Sequence, residues 1–278
     1  MGQHEQIAAE QAARWNGPSG RSWIDHQDLL DRLYRPFEDL LVDGISGSRL
    51  LDVGCGTGST TLAASRAITG QAVGVDISDP MIAVARERAS AEGASAQFLV
   101  ADVQTHQFAG APFDTILSRF GVMFFGDPDT AFRNLHQASS GGATLRMIVW
   151  RNPEDGDIMV SAESATAELL PELPPRPPSV PTTPGQFAFA DPDLVSPILH
   201  AAGWRDITIE PIDVELSLPT DDMLRYITTF GRVGVQLPAV DDATRAHVLD
   251  RLSEALTSFT DGPDVRYTAA CWLVSAQA

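Results

Sequence analysis

The most unusual absence in this 278-residue sequence is lysine, because all 19 basic residues are arginine. A lysine amine is needed for a Schiff base with pyridoxal phosphate and for a Walker-type phosphate loop, so both chemistries are excluded. The two cysteines, Cys55 and Cys271, are too few for a disulfide framework or a thiolate metal site. The six histidines are scattered, without the paired spacing of metal ligands. We therefore expect no metal site.

Positive charge and long apolar runs are also scarce. The 37 acidic residues outweigh the basic ones and give a net charge of -18. Such a field repels phosphate backbones and anionic membrane surfaces, so we expect no nucleic-acid partner. No apolar run is long enough to span a bilayer, and residues 1–15 lack the apolar core of a signal peptide. We expect no membrane insertion and a cytoplasmic location, and a homodimer is left open.

Between residues 49 and 150, short apolar runs alternate with helix-like stretches. Continuous apolar strands separated by helices are typical of a parallel sheet covered on both faces. The pattern therefore predicts a doubly wound α/β fold. The predicted strands are 49–53, 71–75, 96–101, 113–118 and 143–150, and the predicted helices are 59–69, 79–92 and 127–139.

The sequence after residue 150 predicts that two further strands, separated by helices, complete this sheet. Seven prolines between Pro171 and Pro184 favour a loop or extended segment. Helices are predicted at 158–170, 191–202, 220–230 and 241–259, and strands at 206–218 and 265–276. We divide the chain into an N-terminal helical lid (1–48), an α/β core (49–150), a proline-rich cap segment (151–190), and a sheet-completing part (191–278) with a helical cap insertion at about 219–260.

A glycine-rich turn followed by two acids carries the strongest functional signal. Gly54, Gly56 and Gly58 follow the first predicted strand, and Asp52 precedes them. Asp76 and Asp102 end the next two strands. The Gly-x-Gly-x-Gly spacing differs from the Gly-x-Gly-x-x-Gly dinucleotide fingerprint, and an acid before the turn would repel a pyrophosphate. Carboxylates lining a pocket favour a cationic ligand, and S-adenosylmethionine carries a sulfonium and an ammonium but no phosphate.

Residues 52–58, 74–78 and 101–102 resemble the first three motifs of class I S-adenosylmethionine-dependent methyltransferases. Residues 118–125 and Gly141-Gly142 extend the resemblance, which is nearest to small-molecule enzymes similar to the ubiquinone and menaquinone C-methyltransferases. Ser140 stands where that family usually has proline. The resemblance implies a seven-stranded, mostly parallel Rossmann-like sheet whose last strand is antiparallel.

The resemblance also implies the cofactor, S-adenosylmethionine, and roles for matching residues. The glycine turn would pack beneath the methionine and ribose, and Asp52 would hold the ammonium group. Asp76 would bind the ribose hydroxyls, and Asp102 would accept from the adenine amino group. The remaining residues implied at the cofactor site are Cys55 within the turn, Ile77, Met81 and Val103 beside the adenine, and Ser118 and Arg119 beneath the site.

Two tryptophans near the N-terminus bracket a Gly/Pro/Ser stretch, and the functional interpretation is a lid across the cofactor mouth. The face of Trp23 would contact the sulfonium by cation–π attraction, whereas Trp15 is equally well explained as a packing residue. His26 lies one helical turn after Trp23 and is the candidate general base. Structural roles remain open for all three residues.

The sequence predicts methyl transfer to a small acceptor, with carbon, oxygen and nitrogen all open as the methylated atom. Apolar residues in the cap segments, including Ile158, Met159 and Phe230, favour a hydrophobic or aromatic acceptor. Two alternatives are an NAD-dependent oxidoreductase and a catalytically silent S-adenosylmethionine-binding protein.

Overall fold

The computed structural model describes residues 3–156, 158–170, 176 and 178–278. One sheet is flanked by helices on both faces. The strands are β1 (Arg49–Val53), β2 (Gln71–Asp76), β3 (Ala96–Val100), β4 (Phe113–Arg119), β5 (Ser139–Trp150), β6 (Arg205–Pro219), β7 (Thr260–Asp261) and β8 (Asp264–Gln277). The helices are α1 (Gln3–Asn16), α2 (Pro18–Asp25), α3 (Gln27–Val42), α4 (Ser59–Ala67), α5 (Asp79–Glu92), α6 (Pro128–Gln137), α7 (Ile158–Thr166), α8 (Pro192–Ala201), α9 (Thr220–Thr229), α10 (Gly231–Gln236) and α11 (Asp242–Leu256).

The strands follow the order β3-β2-β1-β4-β5-β8-β6. The first five strands pair in parallel, whereas β8 is antiparallel to both β5 and β6. The expected seven-stranded, mostly parallel sheet is confirmed, and the two-residue strand β7 pairs with β8 beside the main path. The strand order reverses between β1 and β4, and ligands of such sheets bind at this point, beyond the carboxyl ends of the strands.

Local sequence explains where the core elements begin and end. In β1, Leu50 and Leu51 are fully buried, as expected of a strand covered on both faces. Helix α5 has a proline in its first turn and ends at Gly93, whose φ of 62° suits a left-handed C-cap. Helix α3 is amphipathic and buries one face that includes Leu33, Phe37 and Leu41.

The segments outside the parallel core include a helical insertion near the end of the chain. Helices α9, α10 and α11 occur between β6 and β8, which pair along most of their length. Of the seven prolines, Pro171, Pro174, Pro175 and Pro177 lie outside the described residues. The chain then returns to the core, because the Gly185 N–H donates to the Met123 carbonyl at 3.1 Å. Within the described ranges, no helix has both the length and the apolarity to cross a bilayer.

Candidate active site

The glycine turn joins β1 to α4 in a backbone conformation that requires glycine. Gly54 and Gly56 have φ values of 70° and 54°, in the left-handed region that side-chain-bearing residues rarely adopt. A Cβ on Gly54 would lie 2.6 Å from the Gly121 Cα atom. The two backbones therefore approach closely at the boundary between β1 and β4, and this approach forms the base of the site.

Asp76, at the end of β2, is held in position by the backbone. Its Oδ2 atom accepts a hydrogen bond from the Gly56 N–H at 2.9 Å, and its Oδ1 atom accepts one from the Ser78 N–H at 2.9 Å. Burial raises the pKa of the Asp76 carboxyl, while these N–H donors and that of Ile77 oppose the shift. The carboxylate thus has a fixed orientation and couples the glycine turn to the following loop.

Asp52 is the most deeply buried acid of the site, with 1% of its surface exposed. The Thr61 hydroxyl donates to its Oδ2 atom at 2.6 Å. Burial raises the pKa of Asp52 to about 6, even though Thr61 and the positive charge of Arg119 act in the opposite direction. The nearby negative charges of Asp76 and Glu38 raise the Asp52 pKa further. A cation bound beside Asp52 would relieve this unfavourable burial of charge.

Asp102, after β3, is clamped by Gln104. The Gln104 side-chain amide donates to both carboxylate oxygens of Asp102, at 2.9 and 3.0 Å, and its backbone N–H donates to Oδ1. The amide oxygen of Gln104 accepts from the Asp127 N–H at 2.6 Å, which fixes the clamp to the start of α6. Sequence reasoning did not identify Gln104. Its position two residues after a strand-end acid, where side chains fold back on the backbone, was the available signal.

These acids border a cavity of about 270 Å³. The cavity wall brings together most of the residues that the sequence nominated for the cofactor: Trp23, Asp52, Gly54, Cys55, Gly56, Asp76, Ile77, Met81, Asp102, Val103 and Arg119. Cys55 is buried, and burial raises the pKa of its thiol well above the usual value, so it contributes a small neutral side chain.

Three nominated residues lie behind the cavity wall. Gly58 has a φ of 89°, and a Cβ there would meet the Phe98 ring at 2.9 Å. The Ser118 hydroxyl donates to the Val53 carbonyl at 2.9 Å and accepts from the Val122 N–H at 3.3 Å. Gly58 and Ser118 therefore support the shape of the turn from beneath.

His26 is the third residue outside the wall. Its Nδ1–H donates to the Ser22 carbonyl at 3.0 Å, and its ring meets the Phe230 ring edge-on at 5.7 Å. It joins the end of α2 to the start of α3. His26 thus contacts an aromatic residue of the cavity wall without lining the cavity itself, and its role as a base stays a prediction.

Aromatic side chains also line the cavity. We call six of them the aromatic chamber, and we call the three aspartates the acidic half of the lining. Ring centroids are 6.0 Å apart for Trp23 and Phe230, 5.5 Å for Tyr226 and Phe230, and 5.6 Å for Tyr34 and Phe120. Phe120 stacks on Trp150 at 4.8 Å. The chamber consists of Trp23, Tyr34, Phe120, Trp150, Tyr226 and Phe230, all of which line the cavity.

The N-terminal helices are attached beside Asp76. The Ser78 hydroxyl donates to the Trp15 carbonyl at 2.7 Å, and the Asp79 N–H donates to the Asn16 side-chain oxygen at 3.0 Å. Trp15 lines the cavity and meets Trp23 edge-on at 6.1 Å. Helices α1 and α2 are therefore anchored beside Asp76, and Trp15 and Trp23 from these helices line the cavity.

Residues 50–142 match the family model described as a methyltransferase domain. This segment contains the glycine turn and all three acids. The segment is thus similar to class I S-adenosylmethionine-dependent methyltransferase domains. The expected family resemblance is therefore confirmed for the part of the chain that forms the parallel core.

Curated relatives of the methyltransferase domain differ in the acceptors that their names describe. The chain is 34% identical over 109 residues to demethylmenaquinone methyltransferase of Thermus thermophilus, covering 39% of this chain and 50% of the relative. It is also 34% identical over 109 residues to phosphoethanolamine N-methyltransferase 1 of Triticum aestivum, covering 39% of this chain and 22% of that relative. The matched segment thus spans half or less of these relatives.

A solved S-adenosylmethionine-dependent methyltransferase of Thermotoga maritima has the same fold. The two structures superpose with a TM-score of 0.51 at 13% identity, covering 93% of this chain and 96% of that one. The likeness extends beyond the core to most of the chain, but at this identity it concerns the fold alone.

Proposed function

We propose that this chain transfers a methyl group from S-adenosylmethionine to a small hydrophobic or aromatic acceptor. The observation that carries the proposal is a single cavity with two different halves. Asp52, Asp76 and Asp102 line one half, and the aromatic chamber lines the other. This arrangement fits a cationic adenosyl donor beside an apolar acceptor.

The residues of the acidic half fit the chemical groups of the donor. Asp76 is oriented by two backbone N–H groups, leaving carboxylate lone pairs for ribose hydroxyls. Ile77 and Met81 supply apolar contacts for the adenine, and Asp102 an acceptor for its amino group. Asp52 would hold the ammonium group. A pyrophosphate fits poorly because the buried carboxyl of Asp52 lines the cavity two residues before the turn, which disfavours the oxidoreductase alternative.

The acceptor is inferred from the chamber, because the relatives named above differ in their acceptors. Of the charged residues that line the cavity, Arg14 lies over the Trp15 and Phe124 rings at 5.5 and 5.7 Å. Asp31 is paired with Arg88 at 2.7 Å, and Arg119 donates to the Ser59 hydroxyl at 3.0 Å. A phosphorylated acceptor would call for a cluster of arginines. The chamber instead favours an uncharged aromatic acceptor.

The bound donor supplies an electrophilic methyl group on a sulfonium. The chain's contribution is to orient the acceptor, exclude water and stabilise the positive charge before transfer. Alignment of two reactants can contribute on the order of 7–11 kcal/mol of barrier reduction. A dedicated base is needed only for an acceptor that loses a proton, so the proposal does not depend on His26.

Helices α1 and α2 act as the lid in this proposal, with the faces of Trp15 and Trp23 turned towards the sulfonium region. Both residues line the cavity, and the hydrogen bonds from Ser78 and Asp79 to Trp15 and Asn16 hold these helices near Asp76. The second half of the cavity wall comes partly from the cap insertion, through Tyr226 and Phe230. A cytoplasmic location and a homodimer stay predictions.

Calorimetric titration with S-adenosylmethionine tests the proposal. We expect Asp76→Ala to weaken binding by about 1–3 kcal/mol, because it removes a buried hydrogen-bond acceptor. Asp79→Ala is the matched control, since Asp79 is exposed and lies three residues away. Equal affinities for the two variants would contradict the ribose assignment. Release of S-adenosylhomocysteine with aromatic acceptors would exclude the silent-protein alternative.

A further inference from the structure

Two tyrosines meet inside the aromatic chamber. The Tyr34 and Tyr226 hydroxyl oxygens are 2.8 Å apart, although the residues are 192 positions apart in sequence. Their exposed fractions are 5% and 4%, and both line the cavity. Tyr34 belongs to α3 and Tyr226 to α9, so the pair joins the N-terminal helices to the cap insertion.

Aromatic rings pack around this tyrosine pair, and the Arg119 guanidinium lies 5.7 Å from the Tyr34 ring centroid. Tyr34 packs against the rings of Trp23 and Phe120 at 6.2 and 5.6 Å, and Tyr226 against Phe230 at 5.5 Å. Ligand pockets characteristically place a few polar groups in an apolar wall, where those groups fix the orientation of the ligand. The pair occupies this position in the chamber.

A purely structural role explains the pair less well. Two phenylalanines would join the same helices by ring packing, without removing hydroxyl groups from water. A phenol hydroxyl both donates and accepts hydrogen bonds, so the pair can also bind a hydroxyl or carbonyl oxygen of a ligand. Loss of such an oxygen from a ligand weakens binding to a site built around it.

We propose that the Tyr34–Tyr226 pair binds an oxygen atom on the acceptor, which makes the acceptor a hydroxylated or carbonyl-bearing aromatic molecule. This inference rests on the proposed function, because it assigns the chamber to the acceptor. The pair orients the ring relative to the bound donor, and Trp23 and Phe230 contact its faces or edges. Specificity then depends on the ring oxygen as well as on the apolar body.

Equilibrium dialysis with 2-naphthol and naphthalene tests the proposal, in the presence of S-adenosylhomocysteine. The two probes differ only in the hydroxyl group. We expect the unaltered protein to bind 2-naphthol at least about tenfold more tightly than naphthalene, as for a hydrogen bond to a buried neutral group. Tyr226→Phe and Tyr34→Phe should each reduce this preference to about twofold or less by weakening 2-naphthol binding alone. Tyr267→Phe, at a buried tyrosine that does not line the cavity, should retain the preference.

Measurements on the same protein variants distinguish a failure of the tyrosine proposal from a failure of the proposed function. A preference that persists in both phenylalanine variants overturns the proposal, as does its absence from the unaltered protein. A purely structural pair would lower the melting temperature of the variants without changing the ratio of the two affinities. Affinity for S-adenosylhomocysteine, titrated separately, tests the proposed function. Its absence would overturn that function whichever naphthalene probe binds.

Discussion

The two halves of the cavity are built in different ways. The acidic half comes from a single run of about 50 residues, and hydrogen bonds between near neighbours orient its carboxylates. The aromatic chamber draws on residues from Trp23 to Phe230, and ring packing between distant segments holds it together. The half that we propose for S-adenosylmethionine is thus encoded by one short stretch of sequence. The half assigned to the acceptor depends on how the whole chain folds.

The largest effect is expected from Asp52→Asn, which separates stability from binding in the acidic half. The folded-state pKa of Asp52 is raised from 3.8 to about 6, so the folded protein binds this proton more readily than the unfolded chain. The stability that protonated Asp52 contributes is therefore present below pH 4 and lost as the pH rises to about 6. Above pH 6, the variant should be more stable than the unaltered protein by up to about 3 kcal/mol.

Denaturant unfolding without cofactor at pH 4 and pH 7 measures this difference. The stability gain should appear at pH 7 and largely vanish at pH 4. Because asparagine lacks the charge that attracts the ammonium group, affinity for S-adenosylmethionine should fall despite the added stability. The same stability difference at both pH values would contradict the assigned pKa.

A glycine pair tests whether close backbone approach defines the turn. Gly54 and Gly44 have nearly equal φ values, 70° and 68°, but only Gly54 would place a Cβ against another backbone. Backbone strain is therefore matched between Gly54→Ala and Gly44→Ala. We expect Gly54→Ala to lower the free energy of unfolding by about 1–3 kcal/mol more, the usual range for overpacking. Equal losses of unfolding free energy in the two variants would show that steric contact with Gly121 is not the reason for glycine at position 54.

The chamber can be altered without altering the acidic half. Phe230→Leu removes a ring that contacts Trp23 and Tyr226, so 2-naphthol binding should weaken by about 1 kcal/mol. Phe259→Leu is the control, because Phe259 is partly buried but does not line the cavity. Affinity for S-adenosylmethionine should be the same in both variants. An equal loss of cofactor binding would show that the two halves are not independent.

The smallest effect on cofactor binding is expected at His26. Because His26 does not line the cavity, His26→Ala should change the affinity for S-adenosylmethionine by less than about 0.5 kcal/mol, as for positions outside a site. Turnover measured between pH 5 and pH 8 tests its candidate role as a base. A tenfold loss of turnover with unchanged affinity would support that role and would require His26 to reach the acceptor during catalysis.

The acidic half of the cavity could be predicted from the sequence to a greater extent than the aromatic chamber. The bounds of β1 and α5 agree with the sequence pattern because apolar runs and a Gly93 cap determine them locally. The three acids could be nominated because each follows a strand of a parallel sheet, whose carboxyl ends converge. By contrast, β5 begins at Ser139, four residues before the predicted start, because Ser139 pairs with Phe113 across an irregular register.

The residues of the aromatic chamber could not be predicted from local sequence patterns. Tyr34 and Tyr226 were visible as polar aromatic residues, but no local pattern places two hydroxyls together across 192 positions. Gln104 contacts Asp102 locally, but its attachment to α6 was equally hidden, because the Asp127 N–H that donates to it lies 23 positions away. Tertiary packing decides both features.

A crystal structure of the protein with S-adenosylmethionine would show directly whether the three acids hold the donor. We expect the ribose hydroxyls on Asp76, the adenine amino group near Asp102, and the sulfonium methyl directed at the aromatic chamber. An empty acidic half at saturating donor concentration, or a pyrophosphate-containing nucleotide bound on the glycine turn, would contradict this expectation.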